Sequence, residues 1–232
     1  MRKPGKKYVE ASEKVEKNKL YTIEEAIDLV KKTSITKFDS TVELALRLNI
    51  DASKSDQALR GSLVLPNGTG KTKKILVIAK GAAADAAKAA GADYIGDVDL
   101  IEKIEKENWF DFDVIIATPE MMPTLGKIGK VLGPKGLMPN PKTGTVTANT
   151  EKAVNDIKAG MVEYKTDSSG IIHAILGKAS FKEKALIENL KYAITTISKA
   201  KPQSVKGEFI KSVAISTTMG PGIKIDKNNF DI

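Results

Sequence analysis

The sequence contains no cysteine and only one histidine among its 232 residues. The first absence excludes disulfides, thiolate nucleophiles and zinc sites built on sulfur, and the second excludes metal sites with paired imidazoles. Aromatic residues make up only 5% of the chain. No apolar run approaches the roughly 20 residues that cross a bilayer, and the first residues lack the apolar stretch of a secretory signal. We therefore expect a globular cytoplasmic protein with no membrane partner and no metal.

Basic residues exceed acidic ones, and the excess lies toward the two ends of the chain. Lysine and arginine number 37 against 29 aspartate and glutamate, which gives a formal net charge of +8 at pH 7. Residues 1–67 and 160–232 together carry 24 basic and 17 acidic side chains, whereas residues 68–159 carry 13 and 12. A positive charge favours an anionic partner, most commonly nucleic acid, although it also serves ordinary solubility. The distribution indicates that the ends of the chain meet that partner.

Two hydrophobic patterns divide the chain into an outer and a middle part. Apolar and polar residues alternate from Thr41 to Ile50, which predicts a strand with one buried and one polar face. Continuous apolar runs at Ile75–Ala79 and Val114–Ala117 predict strands buried on both faces, with helical patterns between them. We therefore expect one domain formed by residues 1–67 and 160–232, with an α/β domain inserted at residues 68–159.

The outer part contains further predicted elements. A basic lead at residues 2–19 is expected to be frayed or weakly helical. A capping box, Thr22-Ile-Glu-Glu25, predicts the start of a helix. Val162–Thr166 and Gly170–Leu176 flank a turn sequence and predict a hairpin, and Phe209–Met219 predicts a final strand.

Motifs for nucleotide chemistry are incomplete. Gly68-Thr-Gly-Lys-Thr72 resembles the end of a phosphate-binding loop, but Leu65 stands where the pattern needs glycine, and a strand follows instead of a helix. The turn after Ala79 has one glycine, too few for a dinucleotide fingerprint. His173 alternates with apolar residues on a strand, which does not favour a catalytic base. We predict no catalytic residue and no cofactor. An enzyme that uses the insert on a nucleotide is the competing hypothesis.

Two segments have a composition that suits RNA. Residues 126–144 hold five glycines, three prolines and four lysines, whose amides and charges suit phosphate contact, although a solvated loop has the same composition. The last predicted strand presents small side chains on one face. The small hydroxyl side chains among them can reach 2′-OH and phosphate groups because no bulky side chain stands in the way. An ordinary edge strand is also rich in serine and threonine. These side chains are Ser212, Ala214, Ser216 and Thr218.

Four segments in chain order resemble the L-one family of large-subunit ribosomal proteins, and the likeness looks like the bacterial form. They are Lys37–Glu43, Leu132–Lys142, Ile172–Phe181 and Ser216–Pro221. The resemblance covers essentially the whole chain. It implies an α/β fold class, with an α+β terminal domain and an inserted Rossmann-like three-layer α/β domain. It also implies a monomer within the ribosome that binds large-subunit rRNA to form the mobile stalk near the exit site, assists release of deacylated tRNA, and represses its own operon messenger by binding a similar RNA fold.

The resemblance also assigns the RNA contacts. They are Lys37, Phe38, Thr41, Glu43, His173, Lys178, Ser212, Thr217, Thr218, Met219 and Gly220. Alternation places Thr41 and Glu43, like Ser212 and Thr218, on polar strand faces, whereas Thr217 points to the opposite face. Because the carboxylate of Glu43 repels phosphate, its expected role is to accept a bond from a 2′-OH or base amino group, or to orient a neighbouring basic side chain.

Overall fold

The computed structural model describes residues 4–52, 54 and 56–230. The first two residues of the basic lead at 2–19 therefore lie outside it. The chain folds into two compact units, which we call the terminal unit (Met1–Gly70 with Val162–Ile232) and the inserted unit (Lys71–Met161). In the described part of the chain, no helix is long and apolar enough to cross a membrane.

The chain combines helices with both parallel and antiparallel strand pairs, which confirms the α/β fold class. The helices are α1 (Lys6–Glu13), α2 (Ile23–Lys32), α3 (Ala82–Ala89), α4 (Val98–Glu107), α5 (Met122–Lys127), α6 (Gly129–Leu132), α7 (Thr150–Lys158) and α8 (Glu183–Lys199). The strands are β1 (Thr41–Leu48), β2 (Arg60–Val64), β3 (Ile75–Ile78), β4 (Tyr94–Gly96), β5 (Val114–Ala117), β6 (Met161–Lys165), β7 (Ile171–Lys178), β8 (Ile210–Thr217) and β9 (Ile223–Ile225).

The terminal unit is organised around an antiparallel sheet in the order β7–β1–β8–β9. Every second residue of β1 is buried, which confirms the alternation predicted from the sequence. These buried side chains pack in one core with apolar residues of α2 and α8. Strand β1 ends two residues before the predicted Ile50, next to an irregularity in its pairing with β8 after Arg47. The opposite face of the sheet exposes alternate side chains to solvent, and it is therefore the candidate functional surface.

Helix α2 begins at the predicted capping box. The N–H of Glu25 donates to Thr22 Oγ1 at 3.3 Å, and the N–H of Thr22 donates to Glu25 Oε2 at 3.1 Å. The hydrogen bond from the Thr22 N–H, together with the Thr22 hydroxyl, lowers the pKa of Glu25. The buried stripe of α2 comprises Ile23, Ala26, Ile27 and Val30, which is the spacing read from the sequence.

The predicted hairpin of Val162–Thr166 with Gly170–Leu176 is wrong. Strand β6 pairs with β2 in a separate two-stranded sheet, while β7 pairs with β1. A single bridge, between Thr166 and Ile172, joins the two segments next to the turn. The turn residues determine only that the chain reverses direction. The turn is closed by a hydrogen bond from the Asp167 N–H to the Ile171 carbonyl at 2.9 Å. Long-range burial decides which strands then pair.

The inserted unit is a parallel sheet in the order β4–β3–β5 with its own core. All four residues of β3 are fully buried, which confirms the prediction of a strand covered on both faces. Part of the segment at residues 126–144 is helical instead of a loop. Ile128 and Leu132 are almost fully buried there and anchor the segment to the core. A solvated loop therefore does not describe its first part.

Candidate RNA interface

The exposed face of the four-stranded sheet gathers three of the predicted contacts, Glu43, His173 and Ser212. Because β1 lies between β7 and β8, each outward residue of β1 has a neighbour on both sides, about 4.5–5.5 Å away between Cβ atoms. The rows across the sheet are Ile175–Glu43–Ser216, His173–Ala45–Ala214 and Ile171–Arg47–Ser212, and Lys224 of β9 extends the second row. The face thus combines a carboxylate, hydroxyls, an imidazole and basic groups.

Three further predicted contacts meet at the end of the sheet where β1 begins. Lys178 Nζ donates to Thr41 Oγ1 at 3.0 Å. The N–H of Thr41 donates to Thr218 Oγ1 at 3.1 Å, and the N–H of Thr218 donates to the Thr41 carbonyl at 3.0 Å. These bonds fix the positions of the three side chains before any partner binds.

A β-bulge places Lys178 in this group. Val42 pairs with Gly177 but Glu43 pairs with Ile175, so β7 has one residue more than β1 at this point. Without the bulge, alternation would send Lys178 toward the buried face with Leu176. Gly177 has φ 152°, and a Cβ there would lie 2.9 Å from a ring carbon of Phe181. Both the backbone and the packing therefore favour glycine at the bulge.

The segment before β1 presents Lys37 and Phe38 to solvent. Phe38 is 61% exposed, which is unusual for a large apolar side chain. The following residue is anchored, because the Asp39 carboxylate accepts hydrogen bonds from the Ser180 N–H at 3.1 Å and from the Ser180 hydroxyl at 2.7 Å. The loop that carries the exposed ring of Phe38 is therefore held in place by hydrogen bonds.

Met219 and Gly220 form the corresponding exposed turn after β8. Met219 is 71% exposed and has a left-handed backbone with φ 67°. For a residue other than glycine this conformation costs roughly 1–2 kcal/mol. A Cβ on Gly220 would overlap Thr217 Oγ1, so the turn requires glycine there. A strained residue with an exposed apolar side chain is typical of a binding site.

Thr217 departs from the other assigned contacts. Its side chain is only 3% exposed, which confirms the expectation from alternation that it points away from the exposed face, and its RNA contact stays a prediction. The physical reason is the strand alternation, which turns Thr217 with Val213 and Ile215 toward the core. Strand β8 also ends at Thr217, two residues before the predicted Met219, and the turn begins there.

Three exposed residues of this surface were not assigned by the resemblance. Arg47 and Lys224 add positive charge to the sheet face, and Ile175 adds an exposed apolar side chain. The alternation of β1 could have identified Arg47, because it places Arg47 beside Glu43 on the polar face. Strand β9 has only three residues, so no periodic signal in the sequence marks Lys224.

His173 lies beside the turn that precedes β7. Its Nε2 atom is 3.9 Å from Asp167 Oδ2. The hydrogen bond from the Ile171 N–H lowers the pKa of Asp167 most, followed by the bond from the Ser169 N–H and the charge of His173. The carboxylate therefore stabilises the turn above its unfolded pKa, and this contribution is lost as pH falls through the lower folded pKa.

We expect NMR titration to give a pKa for Asp167 below that of an unstructured aspartate. The His173→Gln variant should keep most of this shift, because backbone N–H groups are its largest cause. If the pKa of Asp167 instead returns to that of an ordinary aspartate in His173→Gln, the imidazole is the main cause of the shift. Asp226→Asn is a control, since it changes a half-buried carboxylate that caps another turn and should leave the pKa of Asp167 unchanged.

The residues of the nucleotide-like motif have structural partners. A Cβ at Gly70 would lie 2.9 Å from side-chain carbons of Lys178 and Phe181, so this glycine permits close packing. The motif leads into β3, and the next helix, α3, begins only at Ala82. Among the described residues, no group of three or more histidine, aspartate or glutamate side chains is placed to hold a metal ion.

The fold and this face define a two-unit α/β protein with a surface suited to nucleic acid. The model of the Ribosomal protein L1p/L10e family matches residues 30–221, well over half of the chain. The chain therefore belongs to the ribosomal protein L1 family, which confirms the resemblance found in the sequence. It is a structural ribosomal protein that binds rRNA, and its place is the ribosome. The family is one of RNA-binding proteins and not of enzymes.

Proposed function

We propose that the exposed face of the terminal unit binds a folded segment of large-subunit rRNA and so forms the mobile stalk near the exit site. The observation that carries this proposal is the convergence of four chain segments on one surface. Residues before β1, on β1, on β7 and after β8 meet there, although they are as far apart in sequence as Lys37 and Gly220.

The size and chemistry of the surface fit a folded RNA. From Thr41 to Arg47 the face extends about 20 Å, at roughly 3.4 Å per residue. Small hydroxyls and a carboxylate suit 2′-OH and base-edge groups, basic side chains suit phosphates, and exposed apolar side chains suit unstacked bases. Recognition by shape and 2′-OH contacts follows from this mixture.

The finer functions build on the same surface. A messenger segment with a similar fold would compete with rRNA for it, which would let the protein repress its own operon when rRNA is scarce. As part of the stalk, a single copy of the chain would also assist release of deacylated tRNA from the exit site. These functions belong to a cytoplasmic ribosomal protein.

Glu43 provides a test that separates recognition from charge. Among the described residues it has no ion pair with lysine or arginine, so the proposed role is to accept a hydrogen bond from a 2′-OH or base amino group. Glu43→Ala is expected to weaken binding to an rRNA stalk fragment by roughly three- to tenfold, the loss of one to two hydrogen bonds. The same variant should bind a scrambled RNA slightly more tightly, because a negative charge has been removed.

The measurement is the dissociation constant for both RNAs over a salt series. Glu24→Ala is the matched control, since it removes an equal charge from the exposed part of α2. It should change binding to both RNAs in the same direction. If Glu43→Ala strengthens binding to both RNAs equally, the sheet face does not recognise the stalk.

A further inference from the structure

The charges of the inserted unit are unevenly distributed along its sequence. Residues 121–150 contain four lysines and neither aspartate nor glutamate. The whole unit, Lys71–Met161, has 13 basic and 12 acidic residues, so the remainder has 9 basic and 12 acidic. A unit that is almost neutral as a whole therefore contains a strongly basic segment, which we call the basic segment (residues 121–150).

The fold holds the basic segment in place. Leu125, Ile128 and Leu132 are almost completely buried and anchor α5 and α6 to the core of the inserted unit. Lys127 and Lys130 alternate with these anchors and are exposed. Lys127 is the last residue of α5 and Lys130 lies in α6, so the two exposed side chains come from two short helices separated at Ile128.

The later part of the segment is attached to the sheet. Thr145 accepts a hydrogen bond from the N–H of Ala117 at 3.0 Å, and Ala117 forms a parallel bridge with Val146. Ala117 is the last residue of β5, so the segment returns to the carboxyl edge of the parallel strands. Ligands of open α/β sheets bind at this edge.

Three of the four lysines lack partners in the fold. Lys127, Lys130 and Lys142 are exposed, and among the described residues none forms an ion pair or a side-chain hydrogen bond. Elsewhere in the same unit Lys74 and Lys80 pair with aspartates at 2.6 and 3.2 Å. Lys135 Nζ is 4.0 Å from the ring centre of Phe110, which holds its charge at the surface.

The backbone around these lysines is open. A Cβ added at Gly126, Gly129, Gly136 or Gly144 would meet no atom within 4 Å. A bulky polyanion can therefore approach the main chain closely as well as the ammonium groups.

We propose that the basic segment is a second RNA-binding surface, which contacts phosphodiester backbone without reading sequence. The inserted unit has no exposed large apolar side chain, so it lacks the groups that insert into a membrane surface. RNA is the abundant polyanion around a ribosomal protein. The inference rests on the family's place in the ribosome and is independent of the sheet face in the terminal unit.

The test uses the full-length chain and a matched pair of triple variants. One variant is K127Q/K130Q/K142Q, and the control, K88Q/K103Q/K152Q, removes the same charge from exposed lysines outside the basic segment. The probes are poly(U) as single-stranded RNA, an unrelated RNA hairpin, and anionic lipid vesicles. Dissociation constants are measured over a salt series, and thermal unfolding checks that each variant is folded.

The first variant is expected to bind the RNA probes about tenfold more weakly at low salt, and its salt slope on poly(U) should flatten by about two, since each of the three lysine–phosphate contacts contributes roughly 0.7 on a single strand. The control variant K88Q/K103Q/K152Q should lose clearly less affinity for the RNA probes. K127R/K130R/K142R should bind like the wild type, because it keeps the charges. If affinity falls for only one RNA probe, the basic segment binds the backbone of that form, which is single-stranded in poly(U) and duplex in the hairpin.

Equal losses in the two glutamine variants would overturn the proposal, because only the overall charge would then matter. Loss of vesicle binding with RNA binding unchanged would also overturn it and indicate a membrane surface. Failure here is distinct from failure of the sheet-face proposal, because Glu43→Ala leaves the basic segment intact and these variants leave the sheet face intact.

Discussion

Replacing Phe38 or Met219 by alanine is expected to weaken binding to an rRNA stalk fragment by about tenfold or more each, which is about 1.4 kcal/mol. Both side chains are largely exposed, at 61% and 71%, so they contribute little to the core. An aromatic side chain that stacks on an unpaired base contributes roughly 1–3 kcal/mol to binding, and burying an exposed methionine side chain against a base contributes a similar amount. The unfolding temperature of both variants should therefore stay close to that of the wild type.

Met219→Gly separates binding from backbone strain. Glycine adopts φ 67° without the steric cost that methionine has there, so the variant should be as stable as the wild type or more stable. Its RNA affinity should nevertheless fall as far as that of Met219→Ala. Tyr192→Ala, an exposed side chain on α8, is the control and should leave RNA binding unchanged. Wild-type affinity in all the Phe38 and Met219 variants would show that this end of the sheet is not the interface.

Asn189→Ala is expected to reduce the free energy of unfolding by about 2–4 kcal/mol, because several buried groups lose their partners. Asn189 is completely buried. Its side-chain amide donates to the Leu176 carbonyl at 2.7 Å and to the Gly68 carbonyl at 3.1 Å. Its Oδ1 atom accepts from the Asn67 N–H at 3.0 Å. One side chain on α8 thus joins strand β7 to the turn that leads out of the terminal unit.

Urea unfolding of the full chain measures this loss. Glu188→Ala is the matched control, since its carboxylate accepts only an exposed bond from Asn67 Nδ2 and should cost less than about 1 kcal/mol. Asn189→Asp should be destabilising as well, because a carboxylate cannot donate to the two carbonyls. A loss for Asn189→Ala no larger than the control would mean that water replaces the amide.

Much of the terminal sheet follows from the sequence, and its exceptions have local causes. The strict alternation from Val42 to Leu48 determines both the strand and its buried face, and the same rule turns Thr217 inward. The rule fails at Lys178, because the bulge at Gly177 inserts a residue that periodicity cannot show. Strands β4 and β9 have three residues each, which is too short for any period.

Pairing between strands was the least predictable feature. The Asp167–Gly170 turn correctly indicates a reversal, yet β6 and β7 enter different sheets because their buried residues pack with distant partners. The same limitation applies to the candidate site. Sequence motifs identified most of its residues, and alternation places Arg47 on the same strand face, but only the register of β1 between β7 and β8 shows which residues lie beside it.

The bulge at Gly177 has a consequence for solubility. Strand β7 lies at the edge of the sheet, where a single bridge joins Ile172 to Thr166 and Ile175 is exposed. A flat edge of this kind recruits strands from other molecules and starts aggregation. The bulge bends and twists β7 near its end, while the Asp167 turn covers its beginning. The feature that directs Lys178 to the exposed face of the sheet therefore also protects the unassembled chain from edge-to-edge association.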